Sequence, residues 1–334
     1  MTTPIYDCLI NNKTTTKPIW FMRQAGRYLP EFRRIRKKNP NFIKLCLNKN
    51  LSSIITLQPL KRFDLRAAII FSDILMIPYG LKQEVTFKKD FGPQLNSLDI
   101  EKISQVSKRE FKTKLQPIYN SIRKVKTNNL IKNKNLIGFV GAPWTLLVYM
   151  INKKSPKNKI NSNLFENKLF INKVLKIIEK FLFLHIENQI NSGADVIQIF
   201  DSWAGIIKKK DIPKYIYEPT ARIVKFIKSK KIPVICFPRN IKNYKEYVKF
   251  VKPDAISIDY FVDPKKIEKE ITIPIQGGMN PNFLLTEKEN IKKEALKYLN
   301  IFKDHPYIFN LGHGVMPETK PMMIDYLVKF VNDY

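Results

Sequence analysis

The arginines near the amino terminus carry the clearest chemical signal in the sequence. Seven of the chain's 11 arginines lie within its first 66 residues, whereas lysines are spread along the whole chain. Arginine presents a planar fork that binds a carboxylate through two hydrogen bonds, and lysine is a hydrated point charge. Arg23 and Arg27 are separated by Gln24, Ala25 and Gly26. A glycine here lets the backbone turn so that both guanidinium groups reach one pocket. This pattern predicts a pocket for several carboxylates; the alternative is two surface arginines at a helix start.

Three further polar side chains follow predicted strands and could face the same ligand. Asp73, in FSDIL, is either a turn cap or a lone acid in the pocket. One acid among several arginines would suit a ligand that carries both signs of charge. Tyr149 follows GAPWTLLV, so its ring could pack in the core while its hydroxyl reaches the pocket. Ser202 follows Asp201 at a strand end, where either residue could be only a cap.

Of the three histidines, His313 is the one placed to meet a ligand. It stands between Gly312 and Gly314, directly after a predicted strand. We expect His185 to pack within an apolar helix face and His305 to lie on the surface. The sequence contains no glycine-rich nucleotide motif, no P-loop, no serine elbow and no His/Cys set with zinc-ligand spacing.

Short apolar runs alternate with helical segments and must position these residues. Such runs, which are short and mostly apolar, are typical of strands buried on both faces. The eight runs are 19–22, 67–71, 136–140, 195–200, 233–237, 255–259, 273–276 and 307–311. Strands that alternate with helices predict a parallel sheet, and eight repeats predict its closure. The sequence therefore predicts an α/β protein, a single (β/α)₈ TIM-type barrel over residues 1–334, with extra helices in the first two long gaps.

The helical segments show apolar residues at three-four spacing. They cover 164–190, 213–228, 240–251, 287–302 and 320–331, and residues 152–163 read as a solvated loop. Active sites of such barrels lie on the loops that follow the strands. Eight of the chain's 11 glycines fall in those predicted loops. Since the chain otherwise avoids glycine, we expect a ligand to approach the backbone closely on this one rim.

Composition limits the classes of partner. The net charge is +30, but lysines occur in nearly every segment and form no stripe with interleaved aromatic residues, so no nucleic-acid partner is predicted. Cys8, Cys46 and Cys236 lie far apart and indicate free thiols in a reducing cytosol. No apolar run approaches the roughly 20 residues of a membrane span, and the amino terminus lacks an export pattern. We expect a cytoplasmic protein without a membrane partner.

Several segments of the chain resemble the uroporphyrinogen decarboxylase family. PIWFMRQAGRYLPEFR (18–33) resembles the long amino-terminal motif of that family, and FSDIL, GFVGAPWTLLVYM, FDSWAG, FPR and NLGHGV resemble its further motifs in order. The resemblance covers essentially the whole chain. It implies a cytosolic homodimeric barrel that works without metal or organic cofactor. The implied reaction converts the four acetate side chains of uroporphyrinogen III to methyl groups and yields coproporphyrinogen III.

The resemblance also implies roles for individual residues. Asp73 would be the central carboxylate that faces the pyrrole N–H groups, and either Tyr149 or His313 could deliver the proton. The implied catalytic residues are Asp73, Arg23, Arg27, Tyr149 and His313, and the implied substrate-binding residues add Gln24, Ala25, Gly26 and Ser202.

The chain departs from the family pattern in three places, and two other functions compete. INKKSPKNK replaces the family's glycine pair after YM, Gly278-Met279-Asn280 loses an acid, and Asn240-Ile241-Lys242 replaces a glycine-containing run. These changes affect loops more than reaction type. A cobamide-dependent methyltransferase on the same barrel would need a zinc set that the sequence lacks. A nucleic-acid-binding protein would have to exploit the net charge.

Overall fold

The computed structural model describes residues 3–88, 91–156, 160 and 166–334. Its strands are β1 (Ala67–Ile69), β2 (Val85–Lys88), β3 (Gly92–Leu95), β4 (Asn135–Gly141), β5 (Val196–Asp201), β6 (Val234–Pro238), β7 (Ala255–Ile258), β8 (Ile275–Gly277) and β9 (Tyr307–Ile308). Seven of them form a parallel sheet in the order β1-β4-β5-β6-β7-β8-β9, while β2 and β3 form a separate antiparallel hairpin. Sequential order in a parallel sheet is the arrangement expected of a barrel wall.

The segment around Ile19 occupies the eighth position of the wall. Ile19 bridges to Phe309 in parallel orientation, and the Phe309 N–H donates to Pro18 O at 2.9 Å. On its other side, the Arg66 N–H donates to Ile19 O at 2.9 Å. The segment therefore lies between β9 and β1 and closes the ring, which confirms the (β/α)₈ barrel. The predicted strand 19–22 is reduced to a bridge because the chain turns soon after it.

Helices separate consecutive strands of the wall. They are α1 (Pro4–Ile10), α2 (Pro30–Lys38), α3 (Phe42–Cys46), α4 (Lys49–Arg62), α5 (Met76–Gly80), α6 (Ile100–Ser104), α7 (Lys108–Lys126), α8 (Pro143–Asn152), α9 (Lys168–Ile190), α10 (Glu218–Ser229), α11 (Tyr244–Val251), α12 (Pro264–Glu270), α13 (Lys288–Ile301) and α14 (Pro321–Asp333). Short 3₁₀ turns cover Asn129–Ile131, Ala204–Ile206, Lys209–Asp211 and Pro281–Leu285, and a π-helical turn covers Pro213–Tyr217.

The extra helices lie where the long gaps predicted them. α2 to α4 precede β1, and α5 to α7 together with the hairpin separate β1 from β4. The predicted helix 164–190 begins at Lys168, and its first two residues lie outside the described residues. Within the predicted loop 152–163, residues 157–159 and 161–163 also lie outside them. None of the described helices combines the length and apolar character that crossing a bilayer requires.

Local sequence explains where key helices begin. The Ser107 hydroxyl accepts from the Glu110 N–H at 3.1 Å, and the Glu110 carboxylate accepts from the Ser107 N–H at 3.0 Å, which is a capping box at the start of α7. α8 begins at Pro143, in the first turn, where a missing N–H costs nothing. α8 thereby starts immediately after β4 and carries its side chains to the rim.

The barrel interior holds a small core of its own. α1 packs Ile5 and Leu9 against inward-facing strand residues such as Val196 and Ile308. A polar layer lies among them: the Gln276 side chain accepts from Trp20 Nε1 at 2.9 Å and donates to Gln198 and Ser257 at 3.1 and 3.2 Å. The larger core lies between the sheet and the outer helices. Both cores hold the strand ends in fixed positions.

Candidate active site

Five loops bring the predicted residues to one end of the barrel. Arg23 follows the closing segment, Asp73 follows β1, Tyr149 lies on α8 after β4, Ser202 follows β5 and His313 follows β9. These are the carboxyl ends of the strands, where active sites form in this fold. We call this region the mouth.

Arg23 is the electrostatic centre of the mouth. It has a left-handed backbone, with φ of 61°, and its side chain is accessible to solvent. Loss of hydration among the surrounding walls lowers its pKa, and the charges of Arg27 and Arg239 lower it further, while Asp73 and Tyr149 raise it. Charged or titratable groups from four segments of the chain therefore interact electrostatically with the Arg23 guanidinium. The mouth holds more positive than negative charge, as a site for an anion should.

Asp73 is a half-buried acid whose ionisation is disfavoured. Its Oδ1 accepts from the Leu75 N–H at 2.8 Å, so the carboxyl also shapes the turn after β1. Burial raises the pKa of Asp73 to about 6, although the Leu75 hydrogen bond and the charge of Arg23 act to lower it. A carboxylate held here at neutral pH is poorly solvated. It would be stabilised by a ligand that brings N–H donors or positive charge.

Tyr149 keeps its proton at neutral pH. Its ring is buried and contacts Trp203 edge-on, with centroids 5.9 Å apart, and its hydroxyl accepts from Ser155 Oγ at 3.4 Å. Burial raises the pKa of Tyr149, and Asp73 raises it further. The hydroxyl is therefore a neutral hydrogen-bond donor next to Asp73 and Arg23.

His313 is a neutral imidazole in this setting. Burial lowers its pKa to about 3, and the charges of Arg23 and Arg239 contribute. The loop approaches Arg23 closely, since a Cβ at Gly314 would lie 2.7 Å from Arg23 Cγ. His313 therefore offers a hydrogen bond but no positive charge at neutral pH.

Asp201 and Ser202 are neighbours at the end of β5 but have different surroundings. Asp201 is buried, and its Oδ1 accepts from Thr145 Oγ1 at 2.6 Å, while Thr145 Oγ1 accepts from the Trp203 N–H at 3.1 Å. Burial raises the pKa of Asp201 to about 7. Asp201 thus fixes the loop to α8 on the outer side of the wall, and Ser202 is half-buried directly after it.

The residues between the two arginines contribute differently. Gln24 is fully buried, its Oε1 accepts from the Phe21 N–H and its Nε2 donates to Ala67 O, both at 3.0 Å. Its amide is therefore used within the fold and ties this segment to β1. Ala25 and Gly26 are half-buried, and a Cβ at Gly26 would lie 2.7 Å from Arg23 O, so a glycine is needed where the turn doubles back.

The other two histidines lie away from the mouth. His185 is buried with Tyr119 Oη 2.9 Å from its Nδ1, which confirms its packing role. The expectation of a surface position for His305 is wrong. His305 is buried, its Nε2 lies 3.0 Å from Ile273 O and its ring packs against Phe302. This backbone hydrogen bond explains why a histidine flanked by charged residues points inward.

Sequence reasoning missed three residues of the mouth. Arg239 comes directly after β6, and its charge acts on Arg23 and His313. Phe139 and Phe200 are half-buried and pack edge-on inside the barrel, with centroids 5.6 Å apart, forming an apolar floor. Strand alternation could have indicated both phenylalanines as inward-facing, and a rare arginine at a strand end could have indicated Arg239.

The arrangement suits a flat polyanion with a donor-rich centre. Arginine forks can bind carboxylates, an aromatic floor can contact an apolar face, and a poorly solvated carboxylate such as that of Asp73 can accept from N–H groups. No group of three or more His, Cys, Asp and Glu in the described part of the chain could hold a metal ion. A groove of about 830 Å³ lies on the outer helix layer between α9 and α10, lined by Lys176, Phe183, Arg222 and Phe226 among others. It includes none of the mouth residues.

Comparisons with known proteins bear on the family and the fold of the chain. The family model described as uroporphyrinogen decarboxylase (URO-D) matches residues 2–334. A protein of Rickettsia felis named uroporphyrinogen decarboxylase is 40% identical over 323 residues, which cover 95% of this chain and 93% of that protein. One of the same name from Rickettsia bellii is also 40% identical over 323 residues, with 95% of each chain covered. A solved methyltransferase from Methanosarcina mazei has a TM-score of 0.79 at 14% identity, covers 100% of this chain and 99% of its own, and shows the fold alone.

Proposed function

The chain belongs to the uroporphyrinogen decarboxylase family, and from this premise we propose that its mouth removes the four acetate carboxyl groups of uroporphyrinogen III. The product is coproporphyrinogen III, a precursor of haem. The enzyme works as a cytosolic homodimer without metal or organic cofactor. The observation that carries the proposal is one desolvated acid, Asp73, whose charge interacts with that of Arg23 in a mouth that also holds Arg27 and Arg239.

The substrate matches the mouth in charge and shape. It carries eight carboxylates around a macrocycle whose four pyrrole N–H groups point to its centre. Asp73 accepts from those N–H groups, and they replace the hydration that burial removes. Phe139 and Phe200 support the apolar face of the macrocycle, while Arg23 and Arg27 orient its outer carboxylates. Ser202 and His313 offer further hydrogen bonds on the same rim.

The reaction needs an electron sink. Protonation of a pyrrole at a ring carbon gives a cation, and the electron pair of the breaking bond to the carboxylate carbon flows into it. Carbon dioxide leaves, a second proton converts the resulting methylene to a methyl group, and loss of the first proton from the ring carbon restores the aromatic pyrrole. The Asp73 carboxylate stabilises the cation, because a fixed charge is most effective where charge of opposite sign develops. An arginine clamped on the departing carboxylate would oppose this step by stabilising the ground state.

The states of the titratable groups favour Tyr149 over His313 as proton donor. The imidazolium form of His313 requires a pH near its pKa of about 3, so this form is scarce at neutral pH. Tyr149 retains its proton and lies near Asp73 and Arg23. We assign His313 to hydrogen bonding with the substrate.

Direct assay tests the proposed function. Purified protein, treated with a chelator, is incubated anaerobically with uroporphyrinogen III, and the products are separated by number of carboxyl groups. We expect stepwise loss of four carboxyl groups and release of four equivalents of carbon dioxide. Unchanged substrate, with folded protein verified by circular dichroism, would refute the proposal.

The activity should fall in acid as Asp73 gains a proton. Its pKa of about 6 lies above the ordinary value, so the negative charge is complete only above that pH and is lost below it. We expect kcat/KM to be constant above about pH 7 and to fall about tenfold per pH unit below about pH 6. The His313→Gln variant should keep this limb, because His313 titrates near pH 3. A limb near pH 4 would contradict the assignment to Asp73.

Replacing Arg27 by lysine should weaken substrate binding. Arg27 is exposed next to Arg23, and a lysine there keeps the charge but loses the fork. We expect Arg27→Lys to raise KM about tenfold with a smaller change in kcat. Arg34, exposed on α2, supplies the matched control Arg34→Lys. Equal KM values for the two variants would show that Arg27 contributes charge only.

A further inference from the structure

We propose that Arg239 is a third carboxylate-binding arginine of the mouth, which grips a substrate side chain together with Arg23. The inference rests on the proposed function for the identity of the anion. It adds a substrate-binding residue from the loop after β6, which contributes none of the site residues that the sequence predicted.

The backbone of Arg239 is fixed on both sides. Its N–H donates to Asp201 O at 3.1 Å, and its O accepts from the Gly205 N–H at 3.1 Å. The following N–H, of Asn240, donates to the buried carboxylate of Asp259 at 2.9 Å. These bonds tie the loop after β6 to the loops after β5 and β7. A side chain that starts from such a fixed point is held ready for a ligand.

The Arg239 side chain has no acid of its own. Among the residues that the structure describes, its guanidinium forms no ion pair and no hydrogen bond, and its Nε is buried without a partner. A buried donor without a partner costs stability. Where an arginine fork of this chain does meet a carboxylate, the fork is used in full: Arg222 binds Glu179 through two hydrogen bonds of 2.8 Å. The unpaired fork at the mouth therefore has the chemistry of a carboxylate site.

The neighbours of Arg239 define where the carboxylate lies. The charge of Arg239 lowers the pKa of both Arg23 and His313, so the three groups share one part of the mouth. The charge of Asp73 acts on Arg23, whereas Arg239 forms no ion pair with an acid among the residues that the structure describes. A carboxylate between Arg23 and Arg239 would relieve the repulsion and accept a hydrogen bond from neutral His313. This position differs from that of the pyrrole N–H groups, which face Asp73.

Steady-state kinetics test the inference. In Arg239→Met the stem is kept and the fork is lost; we expect KM for uroporphyrinogen to rise about 10- to 100-fold, with kcat within about threefold of wild type. Arg239→Lys should recover part of the loss. The control Lys242→Met removes an exposed cation three residues further along the same loop and should leave KM unchanged. Turnover by wild type establishes the proposed function separately; normal KM in Arg239→Met would then overturn this inference alone.

A histidine titration verifies the position of Arg239. The chain has only three histidines, so labelled imidazole signals are readily resolved by NMR. Loss of the Arg239 charge should raise the pKa of His313 and leave buried His185 unchanged. If Arg239→Met does not fold, KM and the His313 titration are measured instead in Arg239→Gln, whose polar side chain also lacks the charge. An unmoved His313 signal in a folded variant would place Arg239 outside the mouth and refute the inference.

Discussion

Asp73→Asn is expected to lower kcat at least about 1,000-fold, because the variant cannot stabilise a cation in a poorly solvated mouth. Asparagine has the same shape, and its Oδ1 can still accept from the Leu75 N–H that shapes the turn. Burial holds the pKa of Asp73 at about 6, above its ordinary value, so the ionised side chain destabilises the fold at neutral pH. We therefore expect the melting temperature of the variant to be equal to or higher than that of wild type.

Turnover of uroporphyrinogen III and thermal unfolding measure the two effects. Asp201→Asn is the matched control, because Asp201 also ends a barrel strand, is buried and has a raised pKa, yet binds Thr145 on the outer side of the wall. It should lower kcat less than about tenfold, because asparagine keeps the oxygen that accepts from Thr145 Oγ1 and the loop stays in place. Near-normal turnover by Asp73→Asn would remove Asp73 from the centre of the reaction.

The barrel could be predicted because its strands are buried on both faces. Runs such as 195–200 and 233–237 are mostly apolar, and the structure places β5 and β6 on them. The run 19–22 looks the same in sequence but forms only a bridge, since Gln24 N–H bonds to Phe21 O and starts a turn. That turn depends on the buried Gln24 amide, whose partner in β1 is far along the chain. The pattern of residues around 19–22 cannot predict a hydrogen bond to a residue so far along the chain.

The site could be predicted only where a residue lies in the short loop that follows a strand and is of a type that stands out chemically. Asp73 and His313 meet both conditions. Arg239 meets them too, but its importance depends on its closeness to Arg23, which barrel closure creates between residues more than 200 positions apart. For His305 the sequence predicted a surface position that is wrong, because its charged neighbours in the sequence do not indicate the hydrogen bond to Ile273 O that holds it inside. Long-range contacts decided both cases.

Gly314→Ala is expected to lower kcat/KM about 100-fold without contacting the substrate, since displacement of a binding group by about 1 Å costs this much. A Cβ at this position would lie 2.7 Å from Arg23 Cγ and collide with Arg23 Cδ as well. These atoms are mid-chain, so the guanidinium must move away from the loop. Gly314 is not among the glycines with positive φ, so alanine causes no backbone strain there and the fold should be retained.

A double-mutant cycle tests whether Gly314 acts through Arg23. Arg23→Ala alone removes the guanidinium, and the added methyl of Gly314→Ala then meets only the Cβ of residue 23, at 3.1 Å, and no longer meets Cγ or Cδ. If the effects are coupled, the double variant should be less than about threefold worse than Arg23→Ala. If the losses multiply, the alanine disturbs His313 or the loop itself, and the proposed role of Gly314 is wrong. Coupled losses would show that the absence of a side chain at Gly314 leaves the space in which Arg23 takes its position relative to Asp73.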